Sequence, residues 1–92
     1  MTYEIQYSKA ADRDFSKLPV HISQKIILAI HNIKEDPFSH IQKLKDRNHP
    51  IQYKFRVGEY RAIIIMDKSE KVLLVDGVGH RSTIYKRYGV KG

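Results

Sequence analysis

The sequence predicts an α+β fold, β-α-α-β-β-β with a short C-terminal helix, in which two N-terminal helices pack on one face of a twisted antiparallel sheet. Three observations predict it. Apolar residues recur at helical spacing in the first third of the chain, after one short alternating stretch. They alternate with polar residues again from about Ile51 to Gly79. Pro19, Asp36 and Pro37, and Gly58 punctuate the segments where elements should end.

Each element has its own signal. Tyr3, Ile5 and Tyr7 alternate with Thr2, Glu4 and Gln6, which reads as a strand. Ser8 suits a helix N-cap, because its hydroxyl can accept from a free first-turn amide. Ala11, Phe15 and Leu18 then share a helical face. Pro19 stops that helix and can sit in the first turn of the next. Ile22, Ile26, Ala29, Ile30 and Ile33 make the apolar stripe of a longer second helix. Asp36 and Pro37 end it, since the residue before a proline is pushed out of helical geometry. Residues 39–50 read as a polar, basic connection.

The strands after it read in the same way. Tyr53, Phe55 and Val57 alternate with Gln52, Lys54 and Arg56. Gly58 and Glu59 form a two-residue hairpin turn with glycine first. Tyr60 to Met66 returns, 67–70 turns again, and Val72 to Val78 forms a last strand interrupted by Gly77 and Gly79. The tail from Arg81 to Tyr88 is long enough for one or two helical turns.

Composition narrows the function. The 92 residues allow one domain, 1–92, with modest intrinsic stability. There is no cysteine, hence no disulfide framework and no thiolate metal site. No apolar run approaches membrane-spanning length, and the N-terminus lacks a secretory pattern, so a soluble cytoplasmic protein is expected. Seventeen Lys and Arg against ten Asp and Glu leave a formal charge of +7. A field of that density attracts polyanions.

The hairpin concentrates this charge. With Gly58 and Glu59 at the turn, Val57 pairs with Tyr60 and Arg56 with Arg61. Residues two apart share a face, so Lys54 joins both arginines there. Like charges directly opposite cost up to about 1 kcal/mol. An anion held between them offsets that cost; the simpler reading is that the guanidinium groups splay into water or pair with a carboxylate such as Glu59. A second cluster follows the last strand, with His80, Arg81, Tyr85, Lys86 and Tyr88. Histidine exchanges protons near neutrality, arginine grips phosphate with two bonds, and tyrosine stacks on bases. Taken singly each is weak, and Tyr85 and Tyr88 would equally serve to pack the tail. The five histidines lack metal-ligand spacing, and there is no nucleophile elbow or Gly-rich phosphate loop.

These residues resemble a known family. The opening from Tyr3 to Pro19, the Asp36 and Pro37 pair, Lys43 to Lys45, the run from Tyr53 to Arg61, and Gly79 to Arg81 with Tyr85 are similar to motifs of RelE/ParE superfamily toxins, in the same order. The RelE branch is the nearer in pattern, since Lys54, Arg61, Arg81 and Tyr85 occur together. The resemblance implies the toxin of a type II toxin–antitoxin pair: an mRNA interferase, or endoribonuclease, that cuts messenger RNA in the ribosomal A site and inhibits translation. It implies no cofactor and no metal. It points to Lys54, Arg61, Arg81 and Tyr85 as catalytic and to Arg56 and Lys45 as binding RNA phosphates; His80, an acid/base group that not every member carries, joins the catalytic candidates, and the basic neighbours Lys43 and Lys86 join the phosphate-binding ones. Arg56 stands where some relatives carry a second lysine, and it can clamp but not act as a base. Tyr85 follows Arg81 more closely than in the best-studied RelE toxins.

The implied chemistry is attack of an RNA 2′-hydroxyl on the adjacent phosphorus. Arg56 and Arg61 would clamp the phosphate. Lys54 is the candidate base, Arg81 stabilises the leaving oxygen, His80 donates a proton, and Tyr85 orients the nucleotide. Ribosomal positioning would supply much of the rate. The implied partners are an acidic, partly disordered, RelB-like antitoxin, the ribosome with its mRNA, and operator DNA reached only through the antitoxin complex; no membrane is involved. Two alternatives remain open. One is a ParE-like inhibitor of DNA gyrase. The other is a catalytically silent module of a DNA-binding repressor complex.

Overall fold

The structure is a computed structural model that describes residues 2–44 and 52–88. Its elements are β1 (Glu4–Tyr7), α1 (Lys9–Ser16), α2 (Val20–Asn32), a 3-10 turn (Pro37–Ser39), β2 (Gln42–Lys43), β3 (Gln52–Val57), β4 (Tyr60–Asp67), β5 (Val72–His80) and α3 (Ile84–Arg87). The α+β order follows the expectation, with one strand added. Radius of gyration is 12.3 Å. Among the described residues no helix is long and apolar enough to cross a membrane.

The caps form as their residue types require. The Ser8 hydroxyl accepts from the Ala11 amide at 3.0 Å and donates to the Asp76 carbonyl at 2.8 Å, so the α1 start is also pinned to β5. Pro19 sits at the N-cap of α2, just ahead of the first turn, and its carbonyl accepts from the Ile22 and Ser23 amides. The second helix stops at Asn32, before Asp36 and Pro37. Ile33 and Lys34 donate to carbonyls three residues back, which tightens the last turn and lets the chain leave early.

Five strands form one sheet in the order β1-β5-β4-β3-β2. The expected hairpin is present: Val57 pairs with Tyr60, and Arg56 with Arg61. Gly58 has φ of +60°, a conformation that glycine adopts without a Cβ penalty. The sheet departs from the expected antiparallel form at one edge, where β1 runs parallel to β5. No tight turn joins those strands, so nothing imposes antiparallel pairing. Helices α1 and α2 instead carry the chain across the sheet from the β1 edge to the β2 edge. The second departure is β2 itself, inside the stretch read as a connection. Two residues between buried Ile41 and Leu44 are too few to show a period.

Both sheet faces are covered in part. Ala11, Ile26, Ile30 and Ile33 meet Phe55, Val57, Ala62, Ile64, Leu73 and Val75 in the main core. A smaller core of Leu44, Ile63, Ile84 and Tyr85 lies on the opposite face. Ile63 and Ile64 are adjacent yet both fully buried, one in each core. Beside them the β4–β5 register slips by one residue, leaving Asp76 without a partner on β4.

Gly77 and Gly79, which read as interruptions, form the seat of the tail. A Cβ at Gly77 would lie 2.2 Å from both the Arg87 guanidinium and the Tyr88 hydroxyl. A Cβ at Gly79 would come within 3.1 Å of Ile84.

Candidate functional site

The face of the hairpin that points away from α1 and α2 carries the charge. Lys54 and Arg56 project from β3, and Arg61 from β4. Arg81 follows β5, and Tyr85 arrives from α3. These five side chains, with His40 and Gln42, line one cavity of about 440 Å³. Four of the seven are Lys or Arg, and none is a carboxylate. Four cations around one opening suit an anion with several oxygens.

Local contacts aim the cations. Arg61 donates through Nη1 to the carbonyls of Gly58 and Tyr60, both at 2.9 Å, so the turn steadies its guanidinium. Lys54 Nζ lies 5.5 Å from the centre of the Tyr85 ring, a cation–π contact. Tyr85 is buried and stands on Ile63 and Leu44 through the smaller core. Arg81 pairs through Nε with the Glu59 carboxylate, and its amide donates to the Glu59 carbonyl. That pairing with Arg81, first through the hydrogen bond and then through its charge, holds the Glu59 carboxyl below its ordinary value. Glu59 therefore pairs with Arg81 and not with Arg56 or Arg61, the partners the simpler sequence reading offered it.

The remaining expected residues lie elsewhere. His80 does not enter the basic cavity. It pairs with Tyr60 across β4 and β5, and the two rings meet edge-on at 5.6 Å. Its Nδ1 accepts from the Ser82 amide at 3.1 Å and lies 2.7 Å from the Ser82 hydroxyl. It lines a separate cavity of about 420 Å³ with Asp14 and Arg87. Strand alternation on β4 explains this, because Tyr60, the partner of His80, packs on the main core while its neighbour Arg61 faces the basic cavity. Lys43 pairs with Tyr53, whose ring packs on the main core, and is absent from the cavity lining. Lys86 is exposed on α3, also outside it. Lys45 falls outside the described residues.

Two groups of residues went unassigned in the sequence, apart from Tyr88, read there as able to pack the tail. His40 and Gln42 reach the cavity only because β2 pairs with β3. Asp14, Arg87 and Tyr88 fasten α3. The Asp14 carboxylate accepts from Arg87 Nη1 at 2.8 Å, from Nη2 at 2.7 Å, and from the Val78 amide at 2.9 Å. Burial acts to raise the Asp14 carboxyl, but the bonds from Arg87 and Val78, with the charges of Arg87 and Lys17, together hold it below its ordinary value. Arg87 is raised in turn, chiefly by its bond to Asp14. Burial raises Tyr88.

Comparison with known proteins agrees with this architecture. Residues 5–85 match the family described as the ParE toxin of type II toxin-antitoxin systems, parDE. No curated protein matches in sequence. Among solved structures, the fold is similar to a chain of the RelBE2 toxin-antitoxin complex of Mycobacterium tuberculosis, with TM-score 0.79, 23% identity, and coverage of 88% of this chain and 100% of that one. A mutant of the Escherichia coli toxin RelE in the free state matches with TM-score 0.75 and 22% identity, over 98% of this chain and 94% of that one. The archaeal RelE-RelB complex of Pyrococcus horikoshii matches with TM-score 0.72 and 21% identity, over 90% and 99%. With a family match across nearly the whole chain and the fold of the RelE toxins, this protein belongs to the ParE toxin family of type II toxin–antitoxin systems, within the RelE/ParE superfamily.

Proposed function

We propose that the protein is a RelE-type mRNA endoribonuclease that cuts messenger RNA in the ribosomal A site and so inhibits translation. The observation that carries this reading is the meeting of Lys54, Arg56, Arg61, Arg81 and Tyr85 around one cavity. A surface that merely binds acidic protein needs no such convergence on a point, whereas stabilising a phosphorane does.

The roles follow from position. Arg56 and Arg61, directly opposite each other, hold the non-bridging oxygens of the scissile phosphate. Lys54 adds charge beside them and steadies the Tyr85 ring, which is placed to meet a base. Arg81 exchanges Glu59 for the leaving 5′-oxygen. RNA supplies its own nucleophile, the 2′-hydroxyl, and the cations supply the charge stabilisation, so the reaction runs without a metal. The open cavity does little to orient a flexible RNA, and the ribosome supplies that alignment. Lys43, Lys45 and Lys86 belong to the outer electrostatic field that attracts the message.

The partner we propose is an acidic, partly disordered, RelB-like antitoxin that folds on this surface; relatives of the same fold are found in complexes with RelB. Val20 and Leu28 are 71% and 63% exposed on α2 and offer it apolar anchors. Operator DNA is met only within that complex.

The test is cleavage of mRNA on programmed ribosomes by the antitoxin-free protein and by Arg61→Ala. Cleavage within the A-site codon, lost in the variant, supports the reading. A folded wild type that cuts nothing overturns it. The ParE family match then favours gyrase inhibition, and failure there as well leaves the silent repressor module.

A further inference from the structure

The basic cavity is rich in charge and poor in groups that exchange protons at neutral pH. An arginine keeps its proton. Lysine and tyrosine ordinarily exchange near pH ~10. Cleavage nevertheless requires that a proton leave the 2′-hydroxyl. Among the described residues one imidazole lines this cavity, that of His40, and imidazole ordinarily exchanges near neutrality.

Its position is set by two features. The chain turns through the 3-10 segment Pro37–Ser39, closed by the His40 amide donating to the Pro37 carbonyl at 2.9 Å. It then enters β2, which pairs antiparallel with β3 through Gln42 with Lys54 and Lys43 with Tyr53. Continued by two residues, that register sets His40 beside Arg56. Arg56 faces Arg61, Arg61 faces Gly79, and Arg81 lies two residues beyond Gly79. His40 and Arg81 thus stand at opposite ends of a row whose centre is the arginine pair.

We propose that His40 is the general base of RNA cleavage, an inference that rests on the ribonuclease reading above. In-line displacement sets the attacking and leaving oxygens on opposite sides of phosphorus. With the phosphate on Arg56 and Arg61, His40 flanks the attacking side and Arg81 the leaving side. A neutral ring nitrogen of His40 takes the 2′-hydroxyl proton as the 2′-oxygen bonds to phosphorus. The bond from phosphorus to the 5′-oxygen breaks, and Arg81 stabilises the departing oxygen. That oxygen takes a proton from water, and the imidazolium returns its proton to the hydroxide so formed. The products are a 2′,3′-cyclic phosphate and a 5′-hydroxyl. This assigns to His40 the role of base that the sequence suggested for Lys54, and leaves to water the leaving-group proton suggested for His80. The charged and titratable groups that line the cavity with His40 are Lys54 and Arg56 from β3, Arg61 from β4, Arg81 after β5 and Tyr85 from α3.

The experiment is single-turnover cleavage on programmed ribosomes between pH 6 and 8.5, for wild type, His40→Ala, Lys54→Arg and the remote control His31→Ala. His40 is exposed, so the variant should fold, and a thermal melt of each variant checks this. The expected result is a His40→Ala rate lower by about 100-fold or more, with ribosome binding retained. The wild-type rise in rate from pH 6 to 7 disappears in that variant, and added imidazole restores part of the rate. His31→Ala keeps both the rate and the pH profile, whereas Lys54→Arg, which lies in the cavity, is expected to be slower while retaining the rise from pH 6 to 7. A His40→Ala enzyme with unchanged rate and pH profile overturns the proposal, as does loss of rate explained by lost binding with no response to imidazole. An inactive Lys54→Arg with an active His40→Ala returns the base to Lys54. If wild type cuts no RNA, the ribonuclease reading fails first and this inference falls with it.

Discussion

Asp14 on α1 receives both terminal nitrogens of Arg87 on α3, and the same carboxylate accepts the amide of Val78 on β5. One side chain therefore joins the first helix, the last strand and the tail. Tyr85 lies two residues before Arg87, so this clamp also holds the ring that closes the basic cavity. Arg87→Ala should destabilise the protein by about 1–3 kcal/mol, the range for leaving a largely buried partner, here the Asp14 carboxylate, without its bonds. Hydrogen exchange in residues 84–88 should rise more than in β4. Unchanged exchange in α3 would show that Ile84 and Tyr85 alone seat the tail.

The clamp has a pH signature. The folded Asp14 carboxyl lies below its ordinary value of 3.8, so its contribution is complete above that value. It is lost as pH falls through the lower folded value. Urea unfolding of wild type and Asp14→Asn should differ at pH 7, and the difference should shrink as pH falls below about 4. A constant difference down to pH 2.5 would contradict the assignment.

Gly77 is required by the same contacts. Gly77→Ala must push aside the Arg87 guanidinium and the Tyr88 hydroxyl, each 2.2 Å from the new carbon. Its cost should overlap that of Arg87→Ala, so the double variant should be less destabilised than the sum. Additive costs would place the strain elsewhere. Gly79→Ala meets Ile84 at 3.1 Å and should be milder.

On the proposed ribonuclease reading, Glu59 would compete with RNA for Arg81. Glu59→Gln removes the carboxylate from Arg81 and adds one unit of net positive charge. RNA affinity at low salt should rise several-fold, with a steeper fall as salt increases. Weaker binding would instead make Glu59 the residue that aims Arg81.

The arginines that line the basic cavity should affect rate more than folding. Arg61→Ala and Arg81→Ala should each lower ribosome-dependent cleavage by about 100-fold or more, while Arg13→Ala, exposed on α1, should not. Equal losses in all three would indicate a general effect of charge.

What the sequence by itself determined is local. A two-residue turn sets hairpin register, so Gly58 and Glu59 place Arg56 opposite Arg61 and put Lys54 on their face before any tertiary contact is known. Helical periodicity and the Ser8 cap likewise define α1 and α2 from neighbours a few residues away. The tertiary structure decided whatever depends on distant partners. Asp14 and Arg87 are 73 residues apart, and neither carries a local mark of pairing. His40 and Gln42 join the site through a two-residue strand too short to show a period, and His80 lies outside it, paired with Tyr60 on the other face of the sheet. The parallel edge of β1 has the same cause, since strand order across a sheet is chosen by burial of both faces and not by any short stretch of chain.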